Sequence, residues 1–202
     1  MNVHEALNQI ADIRQQVARA HSFRGYRPVT TAFTGLMALA GAALQPRIMH
    51  DPRDPAFRVD HYLYLWFITA VISLTVVGWE MVVRVRRSGS TLQRDLTLSA
   101  VEQFVPSLMA SALVTVVITQ FALESIWVLP SLWMILFSMG VYSSRRVLPR
   151  GAGLIAGFYL LGGLFVMALH KEGGMHAWTM GSIFGGGQFL AAGWLWFVER
   201  RS

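Results

Sequence analysis

Six runs of roughly 20 mostly apolar residues punctuate this chain, and that is the length a helix needs to cross the hydrocarbon of a bilayer. They cover residues 29–46, 62–83, 100–121, 125–143, 152–170 and 177–198. With no water in that layer, a single segment satisfies its own backbone N–H and C=O groups only by coiling into a helix. The expected fold is therefore all-α: a polytopic membrane protein with six transmembrane helices, preceded by an amphipathic helix at the amino terminus. The domain division follows, with residues 1–28 as a cytoplasmic helix and interface turn and residues 29–202 as the bundle. Composition points the same way. Of the 202 residues 54% are hydrophobic and 14% charged, against about 25% charged in a soluble domain. So few charges cannot cover the outside of a water-soluble fold, which excludes a secreted domain, a disordered chain and an ordinary soluble enzyme. Cysteine is absent, so disulfides, thiolate catalysis and iron–sulfur clusters are excluded as well.

Orientation follows from the basic residues, which favour the cytoplasmic side of short loops. The amino-terminal segment, the second and fourth loops and the carboxyl end together hold thirteen of them, among them Arg24, Arg27, Arg84, Arg87, Arg145 and Arg200; the other loops hold four, Arg47, Arg53, Arg58 and Lys171. Both termini are expected in the cytoplasm and the protein in the cell's cytoplasmic membrane. The same asymmetry accounts for a net charge of +6 without a nucleic-acid partner. Aromatic residues fit this frame: Tyr62, Tyr64, Trp66, Trp127 and Trp178 are expected near the outer interface.

Residues 2–23 read as a helix that does not span. Val3, Ile10 and Val17 recur every seven residues, with Ala6, Ile13 and Ala20 between them, an a/d stripe over three heptads. Such a helix either lies on the inner leaflet or docks a partner, with Val3, Ile10, Ile13 and Val17 as the contact residues.

Ionisable groups inside a membrane are costly and usually functional, and here they sit at the ends of spans. Glu80 precedes Arg84 by four residues, an interfacial i,i+4 pair. Ser99 and Glu102 have the spacing of a capping box opening the third span. Pro106 and Pro130 fall in the third and fourth spans, where bilayers tolerate kinks. The deepest strongly polar residue is Gln188, directly after Gly185, Gly186 and Gly187. Each glycine costs about 1 kcal/mol against alanine in a helix, so something compensates. Close packing is one answer, because Gly181 and Gly185 form a GxxxG pair, as do Gly153 and Gly157. The other is a broken helix that binds a solute at the midplane through Gly185, Gly186, Gly187 and Gln188.

Four of the six histidines, His50, His61, His170 and His176, map to the outer side, two of them in the dipeptides Met49-His50 and Met175-His176. Imidazole and thioether ligands suit copper, imidazole suits zinc, and both hold haem iron. These four histidines are the candidate metal or haem ligands. The same residues also belong naturally at a wet interface. The first loop, Gln45 to Asp60, is the one long outer connection expected.

No G-x-S-x-G nucleophile elbow and no phosphate-binding P-loop occur in the sequence. The leading expectation is a non-enzymatic binding, regulatory or complex-subunit protein, surrounded by lipid and working through a homo-oligomer or another membrane protein. The alternatives are a small-solute transporter or channel-like protein with its site in the Gly-rich middle of the sixth helix, and an outer-face metal- or haem-binding protein.

Overall fold

Each of the six apolar runs is helical in the computed structural model, which describes residues 27–49, 55–88, 91–148, 151–169 and 175–201. The helices are α1 (Pro28–Ile48), α2 (Pro55–Ser88), α3 (Thr91–Phe121), α4 (Leu129–Ser143, entered through a 3-10 turn at Leu123–Val128), α5 (Ala152–Ala168) and α6. The last comprises an α-turn (Ala177–Met180), a π-helical turn (Gly181–Gly185) and an α-helix (Gly186–Arg201). No strand occurs among the described residues. Among the described residues three stretches are long and apolar enough to cross a membrane: Val59–Arg87, Arg94–Phe121 and Leu123–Ser143. Ala152–Ala168 is apolar but shorter. The heptad stripe of Val3, Ile10, Ile13 and Val17 lies outside the described residues.

Local chemistry sets several helix ends. Pro28 and Pro130 occupy the first turns of α1 and α4, where a missing N–H costs nothing because first-turn N–H groups have no helical partner. Pro130 therefore begins its helix rather than kinking it. Gly151, with φ +105°, turns the chain into α5 in a conformation that other residues rarely adopt. Two boundaries differ from the sequence reading. The third helix starts at Thr91, so Ser99 lies two turns inside it and accepts a hydrogen bond from Gln103 Nε2 at 3.0 Å instead of capping. The long outer connection is shorter than expected, because α1 runs through Gln45 and Pro46 to Ile48 and α2 begins at Pro55.

The helices pack in the order α2–α1–α6–α5–α4–α3, with the first and last helices side by side within the row. The row curls, so that Tyr62 of α2 stacks on Trp133 of α4 (ring centroids 6.4 Å apart, planes 12° apart). At one end, Glu80 of α2 pairs with Arg27 at 3.4 Å and Arg84 at 3.8 Å, Ser144 Oγ donates to Ala100 O, and Trp194 lies against Gly151. Two arginines there cover aromatic faces, Arg145 over Tyr142 and Arg200 over Trp196. This is the Arg-rich end. At the opposite, distal end α1, α2, α4, α5 and α6 close over a buried cluster that includes Ala42, Tyr62, Trp66, Met134, Val166 and Met180. Tyr62 and Trp66 thus turn into the bundle: Tyr62 is wholly buried. The outer helices are far less engaged. None of the residues in the most apolar stretch of α3 is buried, and Met109, Leu113, Val116 and Val117 are exposed.

Candidate functional site

The Gly-rich run of α6 lies in its most irregular region. The chain widens into a π-helical turn over Gly181–Gly185, then resumes as an α-helix from Gly186 (φ −58°, ψ −46°). Such single π-turns recur at functional positions. The glycines here face two different helices. Gly181 and Gly185 face α1: a Cβ on Gly181 would collide with the Ala42 methyl, and one on Gly185 would come within 3.0 Å of Leu39 Cγ and 3.3 Å of Gly35 O. Gly35 in turn has Gly185 O 3.2 Å from where its Cβ would stand. Backbone thus meets backbone where α1 crosses α6, the close approach that small residues permit. Gly187 faces α5, and a Cβ there would run into the phenol ring of Tyr159. Gly186 is nearly open, with Phe158 Cζ at 3.8 Å as its nearest neighbour.

Tyr159 fills the space that Gly187 leaves. Its hydroxyl donates to Phe184 O, a carbonyl of the widened turn, at 3.2 Å, and the side chain of Gln188 reaches the same phenol. The ring sits in an aromatic group with Phe137 (4.8 Å, near edge-on) and Phe184 (5.4 Å), and Phe104 adds to it through Phe137 at 5.3 Å. The result is a polar node of one phenol, one amide and one backbone carbonyl, enclosed by aromatic rings midway along the bundle. Gln188 was legible in the sequence as the deepest strongly polar side chain. Tyr159 was not, because an isolated tyrosine in an apolar run carries no periodic signal; only the facing glycine marks it.

The second GxxxG pair differs. A Cβ on Gly153 or on Gly157 would meet nothing within 4 Å, so neither packs against the described part of its own chain. The other half of α5 is engaged, since Gly162 abuts Ile183 and Gly163 abuts Ile135 and Ser131 O.

Sequence reading also missed a stripe of small polar residues on α3. Ser99, Gln103, Ser107, Ser111, Thr115 and Thr119 recur every four residues and are all half-buried. Most are satisfied within the helix: Ser111, Thr115 and Thr119 each donate to the carbonyl four residues back. Thr115 Oγ1 also accepts from Trp133 Nε1 of α4 at 2.9 Å. The i,i+4 spacing was the available signal.

Of the candidate metal ligands, His50 and His170 lie outside the described residues. His61 is half-buried on α2, next to Tyr62, and His176 is exposed at the start of α6. Among the described residues no three His, Cys, Asp or Glu side chains are grouped as a metal ion would need. Two polar groups of the distal core, Tyr62 OH and Ser131 Oγ, are buried with no hydrogen-bond partner. Comparison with protein-family models, curated proteins and solved structures finds no match to this chain.

Proposed function

We propose that this chain is a multi-pass protein of the cytoplasmic membrane, with six spanning helices and both termini in the cytoplasm, that works without catalysis as a binding or regulatory subunit of a larger membrane assembly. The basic residues support the orientation: the end that gathers Arg27, Arg84, Arg145 and Arg200 is the one the positive-inside rule assigns to the cytoplasm. The observation that carries the functional reading is the open face of α5. Glycine in a helix costs about 1 kcal/mol against alanine. At Gly181, Gly185 and Gly187 that cost is matched by close contact within the chain, whereas at Gly153 and Gly157 nothing among the described residues would notice a methyl group. A helix of another subunit seated there supplies the missing reason, because close backbone approach is what such pairs provide in membranes. Crosslinking in native membranes followed by size determination in mild detergent tests this. Wild type should run as an oligomer or complex, and Gly153→Leu with Gly157→Leu should shift it to the single chain. A wild-type monomer in several mild detergents, free of crosslinked partners, defeats the reading.

A second reading rests on the widened turn of α6. A small solute held by Gln188 and the Tyr159 hydroxyl at mid-bilayer would make this a transporter or channel-like protein. Gln188→Leu in proteoliposomes should then abolish solute flux; flux that persists unchanged removes the site.

A further inference from the structure

The sequence holds two Met-His dipeptides 126 residues apart, and the fold brings their methionines to one corner of the bundle. Gln45, buried in the penultimate turn of α1, donates from Nε2 to Met175 O at 2.8 Å and accepts from Trp66 Nε1 at 3.0 Å. Met49 follows one turn later, its N–H bonded to Gln45 O. Met175 is thus bonded to the Gln45 side chain and Met49 to its backbone carbonyl, and both methionines pack on the distal core cluster, whose buried members include Met134 of α4 and Met180 of α6. Four of the thirteen side chains in and around that cluster are methionine, against ten methionines in the whole chain. Two are fully enclosed and two are half-exposed at the rim, beside the exposed His176.

Methionine often merely fills awkward gaps in a core, but this set has a chemistry that leucine lacks. Thioethers are soft, uncharged ligands that select monovalent copper over zinc, which prefers imidazole, thiolate and carboxylate. Thioethers carry no charge to offset a cation's, so any cation they held would keep its full charge, and desolvating one charge is far less costly than desolvating two. We infer that the distal corner formed by Met49, Met134, Met175 and Met180 is a binding site for a soft monovalent metal ion, Cu(I) or its redox-inert stand-in Ag(I), loaded through the Met49–Met175 rim. The inference is independent of the assembly role proposed above.

The test is Cu(I) binding by the purified full chain in detergent, under ascorbate and in competition with bicinchoninate. Wild type should retain about one Cu(I) per chain, and X-ray absorption should show sulfur neighbours. The double variant Met134→Leu/Met180→Leu is close to volume-conserving, so its elution and unfolding temperature should match wild type while its Cu(I) affinity falls roughly tenfold or more. The rim pair Met49→Leu/Met175→Leu should lose affinity in the same range and keeps the test decisive if the core variant folds poorly. No Cu(I) retained by wild type, wild-type affinity in both double variants, or a spectrum with only nitrogen and oxygen neighbours overturns the inference.

Discussion

The two GxxxG pairs of this protein have the same residues and the same spacing but opposite surroundings. Gly181 and Gly185 sit where α1 crosses α6, and a single added carbon at either would strike Ala42 or press on Leu39. Gly153 and Gly157 look onto open space. The contrast teaches that the motif reports only that two backbones can approach, not which two. In the first case the partner is a helix of the same chain; in the second the chain supplies none among its described residues.

The strongest way to break this contrast is to fill the packed side. Gly181→Leu or Gly187→Leu should cost roughly 3 kcal/mol, the upper end of ordinary overpacking, because the obstacles are the Ala42 methyl with the α1 backbone behind it and the enclosed Tyr159 ring. A large fall in the apparent unfolding temperature in detergent is the expected readout. An unchanged temperature would mean that α1 and α6 do not cross at Gly181. A smaller effect should follow from Tyr159→Phe, which keeps the ring against Gly187 but removes the hydroxyl that Phe184 O accepts from. The cost should be about 1 kcal/mol, and amide exchange should rise locally around the widened turn rather than across the bundle. The smallest change sharpens the other side. Gly157→Ala should leave the isolated chain unchanged or stabilise it by up to about 1 kcal/mol, since its methyl meets nothing. If Gly157→Ala destabilises an isolated monomer as much as Gly187→Ala does, the face is not open.

Much of the architecture was legible before any coordinates. The six apolar runs are all helical, and among the described residues three stretches are long and apolar enough to cross a membrane, because the length and composition of a segment are properties of that segment alone. The Glu80–Arg84 pair was legible for a similar reason: both ends lie on one helix, four residues apart. Its second arm, to Arg27, was not, since it joins two helices. Position along a span gives the depth of Tyr62 and Trp66 but not the direction of their side chains. Both side chains turn inward, where Trp66 bonds Gln45 and Tyr62 stacks on Trp133. The capping box at Ser99 failed because α3 continues eight residues further toward Thr91, so the local signal lies within a helix already running.

What the sequence alone determined, then, is the class of the protein: which segments coil, how many there are, and on which side its arginines gather. These depend on hydrocarbon thickness and on residue types read along a line. Tertiary structure decided the rest. It chose which glycines meet a neighbour, turned Tyr159 onto the carbonyl of the widened turn, and drew Met49 and Met175 to one corner through Gln45. Those outcomes depend on how each helix is rotated about its axis and on which helix lies beside it, and in a chain whose helices are apolar on most faces no pattern along the sequence encodes either.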